Sequence, residues 1–307
     1  RASASTLVAG AVVWAVDWAA PLVLGTLHIP VSFAEAAPRS GVVAALASGA
    51  STEFASAAIA MAGVGLAWLW AGHRRHFAVA LAMGAVVSVV VGQPTPSSTW
   101  ANWHLVQTHI SNRNYERAQL VPGIERQNEQ AVVDAIAAHA QAGHVVVLGE
   151  TVWRPAPGRH IVVLQQLQAD VDQKGYELLF GLAVYTGDGW TNRAYALRPN
   201  QPMQWTQKTA LVPLVERAFV SGGGPGVVEL GGERVGVLLC VESLYPSAAK
   251  ALAEQNVDRI VVLANDAGFE GGHIAVAHAR RAAVVAWEAA VPVAHLGQDH
   301  AVAFASP

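Results

Sequence analysis

A single cysteine, Cys240, occurs in the 307 residues of this chain. An internal disulfide is therefore excluded, as is any metal site built from several cysteines, and the redox compartment stays open. Lysine is nearly as scarce, with Lys174, Lys208 and Lys250 the only three. Charged residues make up 13% of the chain, well below the roughly 25% of ordinary soluble domains. The formal net charge of -3 shows no basic excess, so neither nucleic acid nor an acidic substrate is an expected partner. The glycine-rich "SGGGPG" at 221–226 lacks the Gly-Lys-Ser/Thr ending of a phosphate loop and reads as a lid or connection. Twelve histidines are present, but no spacing among them assembles the three or four ligands a zinc ion needs. No metal and no cofactor are expected.

What the chain has in excess is apolar sequence, 53% of it, concentrated near the N-terminus. Residues 6–27, "TLVAGAVVWAVDWAAPLVLGTL", carry one charge, Asp17; residues 55–72 and 77–92 carry none. A helical membrane span needs about 20 apolar residues, so the first two runs fit and the third is marginal. The competing readings are buried helices of a soluble protein and a cleaved signal peptide. The second is disfavoured by the several runs and the missing basic n-region. The loop "HRRH", 73–76, holds two of the four Lys/Arg residues in the first 99, which predicts it to be cytoplasmic. The third span would then deliver everything after the linker "QPTPSST", 93–99, to the extracytoplasmic or periplasmic face of a bacterial inner membrane. Since the sequence starts with Arg and stops inside "AVAFASP", a truncated transmembrane region over 1–99 and a truncated catalytic domain over 100–307 are expected.

The polar half alternates strand-like and helix-like stretches. Strands are predicted over 103–110, 144–150, 176–186, 192–199 and 259–266, with another beginning at Val291. A hairpin is predicted around Gly231-Gly232. Helices are predicted over 125–143, 161–175, 246–256 and 273–290. Such alternation implies a layered α/β domain with a mostly buried sheet.

Cys240 stands where the apolar run "VGVLL" ends and before a Tyr-Pro stop. A buried free cysteine is commonly a small hydrophobe. At the carboxyl end of a sheet strand, though, a side chain faces the crevice where sites form. The N–H of Val241 can then point at the same spot as an oxyanion donor. A thiol needs a base or a cation to react at neutral pH. Glu150 ends "VVVLGE" and can take the proton. Lys208, set before the apolar "ALVPL", can steady the charge, whereas Lys174 and Lys250 read as solvated.

Several separated stretches resemble one family. "LVQTHI", "VVLGETVW", "KTALVPLVE", "LLCVESLYP", "LANDAGF" and "AHARRAAVVAWEAAVPV" are together similar to the nitrilase, or carbon–nitrogen hydrolase, superfamily. Within it the apolipoprotein N-acyltransferase branch is the most similar. The resemblance covers nearly all of residues 103–307. It implies a four-layer αββα sandwich and a Glu150–Lys208–Cys240 triad. It further implies supporting or substrate-binding roles for Glu216, Val241, Glu242, Asn265, Asp266 and Arg280. Glu216 would orient Lys208 or the acceptor, and Glu242 would position the turn at Cys240. Arg280 and Arg281 could bind a carboxylate or phosphate head group; the plainer reading is that one of them pairs with Glu288 or another neighbour.

Departures stand at Val241, where that branch usually has tyrosine, and at Gly268, where an aromatic is expected. "HLGQDHAV" replaces a Thr-Asn-rich strand entry, putting His295, Gln298, Asp299 and His300 near what would be the substrate mouth. A nitrilase-like group of plasmid conjugal-transfer membrane proteins is a further resemblance. The implied activity is acyl transfer through a cysteine thioester, with a lipid acyl donor and an amine acceptor. The alternatives are an amidase, and a membrane component in which the triad is a relic.

Overall fold

The structure, a computed structural model, describes residues 100–304 apart from 112–113, 115–116, 119, 153, 213–214, 267–272 and 298–300, and without the side chains of Pro122, 273–277 and Arg280. The three expected membrane spans, their loop and the linker lie outside the described residues, as do Gly268, Gln298, Asp299 and His300. Among the described residues no helix is long and apolar enough to cross a membrane.

Among the described residues, ten strands form two sheets of five. The first joins β1 (Trp103–Leu105), β2 (Val145–Val147), β3 (Glu177–Tyr185), β4 (Trp190–Leu197) and β5 (Gln204–Gln207) in that order. The second runs β10 (Ala301–Phe304), β9 (Val293–Leu296), β8 (Arg259–Leu263), β7 (Glu233–Leu239), β6 (Gly226–Leu230). In each sheet three strands are parallel: β1, β2 and β3 in one, and β7, β8 and β9 in the other. Helices α1 (Pro122–Ala137) and α2 (Arg159–Lys174) supply crossovers of the first sheet. Helices α3 (Pro246–Ala253) and α4 (His273–Ala289) supply those of the second.

The side-chain alternation of the strands builds three cores and hence four layers. In β2, Val145 and Val147 face the second sheet, while Val146 and the following Leu148 face α1 and α2. In β7, Val235, Val237 and Leu239 face the first sheet and Leu238 faces α3 and α4. Because both faces of these parallel strands are covered, their sequences read as unbroken apolar runs. The helices answer with apolar stripes at helical spacing: Val163, Leu167 and Val171 on α2, and Ala282, Val285, Ala286 and Ala289 on α4. The expected αββα sandwich is the one that forms.

Several expected elements are shorter than the sequence suggests, the first strand and α1 among them. The first strand stops at Leu105, because its partner β2 ends at Val147; one further bond, Val106 N–H to Val147 O at 2.8 Å, closes the ladder. Helix α1 stops at Ala137 rather than Gly143. The intervening turn brings Gly143 N–H onto Gly175 O at 2.9 Å, where α2 also ends, and so feeds β2. The β6–β7 hairpin turns through Gly231 and Gly232, both at positive φ (61° and 75°), as a two-residue type I′ connection requires.

One close approach holds the segment that carries Glu150. A Cβ on Gly181 of β3 would lie 2.5 Å from Thr151 N and 2.6 Å from Glu150 Cα. Gly181→Ala is expected to lower unfolding stability by about 1–3 kcal/mol, as overpacking of a tight interior does. Gly223→Ala, with nothing within 4 Å of its Cβ, should stay within about 0.5 kcal/mol of wild type. Denaturant unfolding of the two variants compares them, and equal effects would refute the close-approach argument.

Candidate active site

After β2 the chain runs on toward the second sheet. Gly149 O accepts from Gly181 N–H at 3.0 Å, and Glu150 N–H reaches Ala264 O, just past β8, at 3.2 Å. A Cβ at position 149 would sit 2.9 Å from that same Ala264 oxygen, so glycine lets the two sheets meet here. Glu150 is buried. Its Oε1 accepts from Lys208 Nζ at 2.8 Å and from Asn192 Nδ2 at 2.7 Å, and its Oε2 accepts from Asn265 N–H at 3.1 Å. Thr151, at φ 47°, donates its hydroxyl to Asn192 Oδ1 at 3.3 Å, which sets the orientation of that amide.

Lys208 follows β5, with its N–H on Asn192 O at 2.8 Å and its carbonyl accepting from Gly222 N–H at 2.8 Å. The residue is 1% exposed, and its ammonium lies between two carboxylates, Glu150 and Glu216, at 2.8 and 2.9 Å. The other oxygen of Glu216 accepts from Val212 N–H at 2.6 Å. Burial alone would push the Lys208 ammonium toward neutrality, but Glu150, Cys240 and Glu216 outweigh it and hold its pKa far above the usual lysine value.

Cys240 begins a short 3₁₀ segment, Cys240–Leu244, directly after β7. Its φ is 51°, a conformation that a non-glycine residue holds only when its surroundings enforce it. Glu242 is one part of that enforcement. One of its oxygens accepts from Leu239 N–H at 2.7 Å, and the other from Thr209 N–H at 2.6 Å and Ala210 N–H at 3.3 Å. The carboxylate thus ties the turn at Cys240 to the loop that carries Lys208. Burial raises the Glu242 pKa against the pull of those backbone donors. Val241 is buried beside it.

Behind the turn, Asp266 follows β8 and lies against α4. Its Oδ1 is 3.0 Å from His278 Nδ1, and its Oδ2 is 3.4 Å from His295 Nε2. His278 Nε2 in turn lies 3.1 Å from Cys240 O and 3.0 Å from Ser243 Oγ, and Ser243 donates to Cys240 O at 2.9 Å. Ligand atoms of Asp266, His278 and His295 lie within 4.8 Å of one another, the spacing of metal ligands. The Asp266–His278 pair, however, already stands at hydrogen-bond distance, so a proton closes it. Burial works to raise the Asp266 pKa, but the two histidines overcome it and hold the carboxyl far below its usual range. Burial likewise works against a charged His278, and Asp266 raises its pKa in spite of that.

The structure therefore brings Glu150, Lys208, Glu216, Cys240, Val241 and Glu242 to one end of the sandwich, with Asn265 contributing its backbone N–H. His295, expected at a substrate mouth, is instead fully buried against Asp266, because β9 carries it into the interior. Arg281 is fully buried, donating to Ser243 O at 2.7 Å and pairing with Glu288 at 2.8 Å. The side chain of Arg280 lies outside the described residues. Asn192, Ser243 and His278 were not legible as site residues. The "TNRAY" strand and the "AHARR" helix read as ordinary elements, and only the fold brings them to Cys240.

Cys240 is half-buried. Burial and the Glu150 carboxylate push its thiol pKa up, and Lys208 only partly opposes them, so the resting group is a neutral thiol. A carboxylate beside a neutral thiol and an ammonium can take the proton during attack and leave the cation to face the new charge. The alkylation rate of Cys240 by iodoacetamide is accordingly expected to keep rising beyond pH 9. In Glu150→Gln, removal of the adjacent negative charge should move that profile to lower pH. An unshifted or upward-shifted profile would contradict this electrostatic account.

A chain of similar fold is an amidase from Nesterenkonia sp. AN1, described with an acetamide moiety added covalently at its active-site cysteine. It is 19% identical, the match covering 56% of this chain and 70% of that one, with a TM-score of 0.47. A carbon–nitrogen hydrolase superfamily protein of Xanthomonas campestris is also 19% identical over 64% of this chain and 74% of its own, with a TM-score of 0.47. The glutamine-dependent NAD+ synthetase of Acinetobacter baumannii is 18% identical, with 65% of this chain covered, 39% of that chain, and a TM-score of 0.43. No curated protein matches the chain. The carbon–nitrogen hydrolase family model matches residues 78–299, well over half of the sequence, and the chain belongs to that family.

Proposed function

We propose that this protein transfers an acyl group through a thioester on Cys240. The observation that carries the reading is the half-buried thiol of Cys240, held at positive φ at the end of β7 within the electrostatic reach of the Glu150–Lys208 pair. As Cys240 Sγ attacks an acyl carbonyl, its proton passes to Glu150. Lys208 and the Val241 N–H face the oxyanion that forms. Glu150 then returns the proton to the leaving group and activates the acceptor, an amine or water. Glu216 keeps Lys208 in place through the 2.9 Å contact, and Glu242 keeps the turn.

The acyl donor in this reading is a membrane lipid and the acceptor an amine, of the kind used by apolipoprotein N-acyltransferases or by a conjugal-transfer relative. Its support is the three apolar runs at 6–27, 55–72 and 77–92, which would anchor the domain at the outer face of a bacterial cytoplasmic membrane. A domain acting on small soluble amides has no need of them.

Intact mass of the purified chain in detergent tests this reading, after incubation with phospholipid and, separately, with simple amides. A fatty-acyl adduct in wild type that is lost in Cys240→Ala is expected. Lys208→Met should slow its formation on the order of 10²–10³-fold, the cost of one oxyanion donor. An adduct from amides alone would replace the transferase with a hydrolase. An adduct that survives in Cys240→Ala would end the thioester reading.

A further inference from the structure

We infer that His278, oriented by Asp266, is a positioning residue of the oxyanion site, acting through the carbonyl oxygen of the nucleophile itself. The inference rests on the thioester reading above. His278 makes no contact with the reacting atoms; it holds the peptide unit that does.

The argument starts from the peptide between Cys240 and Val241. The described residues contain no cis peptide bond, so this unit is planar and trans, and its C=O and N–H point in opposite directions within the plane. Whatever fixes Cys240 O at the rear therefore also fixes the direction of Val241 N–H at the front. Val241 lies in the first turn of the 3₁₀ segment, where N–H groups have no acceptor within the helix. Two groups hold Cys240 O from behind: Ser243 Oγ donates at 2.9 Å, and His278 Nε2 stands at 3.1 Å. Position 240 sits at φ 51°, outside the conformations cysteine adopts by preference, so an unheld peptide would tend to turn back.

Hydrogen-bond bookkeeping fixes the protons. Asp266 only accepts, so His278 Nδ1 carries a hydrogen toward Oδ1 at 3.0 Å. Ser243 spends its hydroxyl hydrogen on Cys240 O. Its oxygen, 3.0 Å from Nε2, is then left to accept. Both neighbours of Nε2, Cys240 O and Ser243 Oγ, are thus acceptors, and Nε2 carries a hydrogen as well. His278 is an imidazolium paired with the Asp266 carboxylate. The ionisable groups around it are Asp266 after β8, His295 on β9, Cys240 in the 3₁₀ turn and, through its charge, Glu150 after β2. Asp266 raises the His278 pKa against the cost of burial, in agreement with that assignment. A cation donating to a carbonyl also polarises the amide, which strengthens the N–H on its other side.

Two reactions of the same thiol separate this role from a general structural one. Acylation by p-nitrophenyl butyrate forms the Sγ–C bond and breaks the C–O bond to p-nitrophenolate, with the thiol proton passing to Glu150; it proceeds through an oxyanion. Alkylation by iodoacetamide displaces iodide and forms none. With the whole chain in detergent, single-turnover acylation of His278→Leu is expected to be slower by about 10- to 100-fold, at or below the cost of deleting an oxyanion donor. Its alkylation rate, compared at equal thiolate fraction because Asp266 loses a partner and pushes the thiol pKa up, should remain near that of wild type. His278→Gln, which keeps a donor toward Cys240 O without the partnership of Asp266, should recover part of the acylation rate, and it carries the test if the leucine variant does not fold. Parallel losses in both reactions, or unchanged acylation, would overturn the inference. Failure of wild type to form a butyryl adduct would overturn the thioester reading and this inference together.

Discussion

Glu150 is bonded from both sheets, and the site depends on that. Lys208 and Asn192 reach its Oε1 from the first sheet, and Asn265 N–H reaches its Oε2 from the second. A buried carboxylate with one partner removed carries a large penalty, so each of these contacts constrains the others. The Lys208 ammonium cannot leave without stranding two carboxylates, Glu150 and Glu216. The loop carrying Lys208 cannot shift without pulling on Glu242, and Glu242 holds the backbone of Leu239 next to Cys240. Stability and chemistry are therefore carried by the same few atoms at the meeting edge of the sandwich.

That edge exists because of how the strands end. The strands β2, β7 and β8 all end at this edge, where Glu150 N–H meets Ala264 O, and the residues that follow them include Glu150, Cys240 and Asn265–Asp266. Gly149 permits the contact with Ala264 that joins the two sheets there. The interior alternation of β2 and β7 supplies the core that keeps the strand ends in register.

Much of this arrangement is legible in the sequence, for reasons that differ between elements. The apolar runs of β2, β7 and β8 announce strands covered on both faces, and Gly231-Gly232 announces its hairpin. Cys240, Glu150 and Lys208 stand out because strand ends and scarce residue types are visible without a structure. Asn192 does not stand out, because its neighbours in β4 alternate like those of any half-buried strand, and its amide matters only through Glu150, 42 positions away. His278 is hidden for a related reason. Among twelve histidines nothing marks the one that faces Asp266, since the pairing is set by how α4 lies over β8 and β9. The ends of β1 and α1 fall short of what propensity suggests, because pairing and chain reversal terminate them.

The two halves of the site play opposite electrostatic parts. In front, Glu150, Lys208 and Glu216 place one positive charge between two negative ones, a balance that does not favour a resting thiolate and suits a proton passed to Glu150 during attack. At the rear, the Asp266–His278 pair is neutral as a unit but directed, with its positive end against Cys240 O. A dipole aimed along the Cys240–Val241 peptide acts most strongly on charge that develops at the N–H end of that peptide. On the resting thiol the Asp266 charge adds only a lesser push to those of burial and Glu150; in the proposed reaction the pair acts chiefly once the oxyanion forms. Transition-state stabilisation of this kind requires an arrangement fixed before the reaction, and fixity is what the buried Asp266, His278 and Ser243 supply.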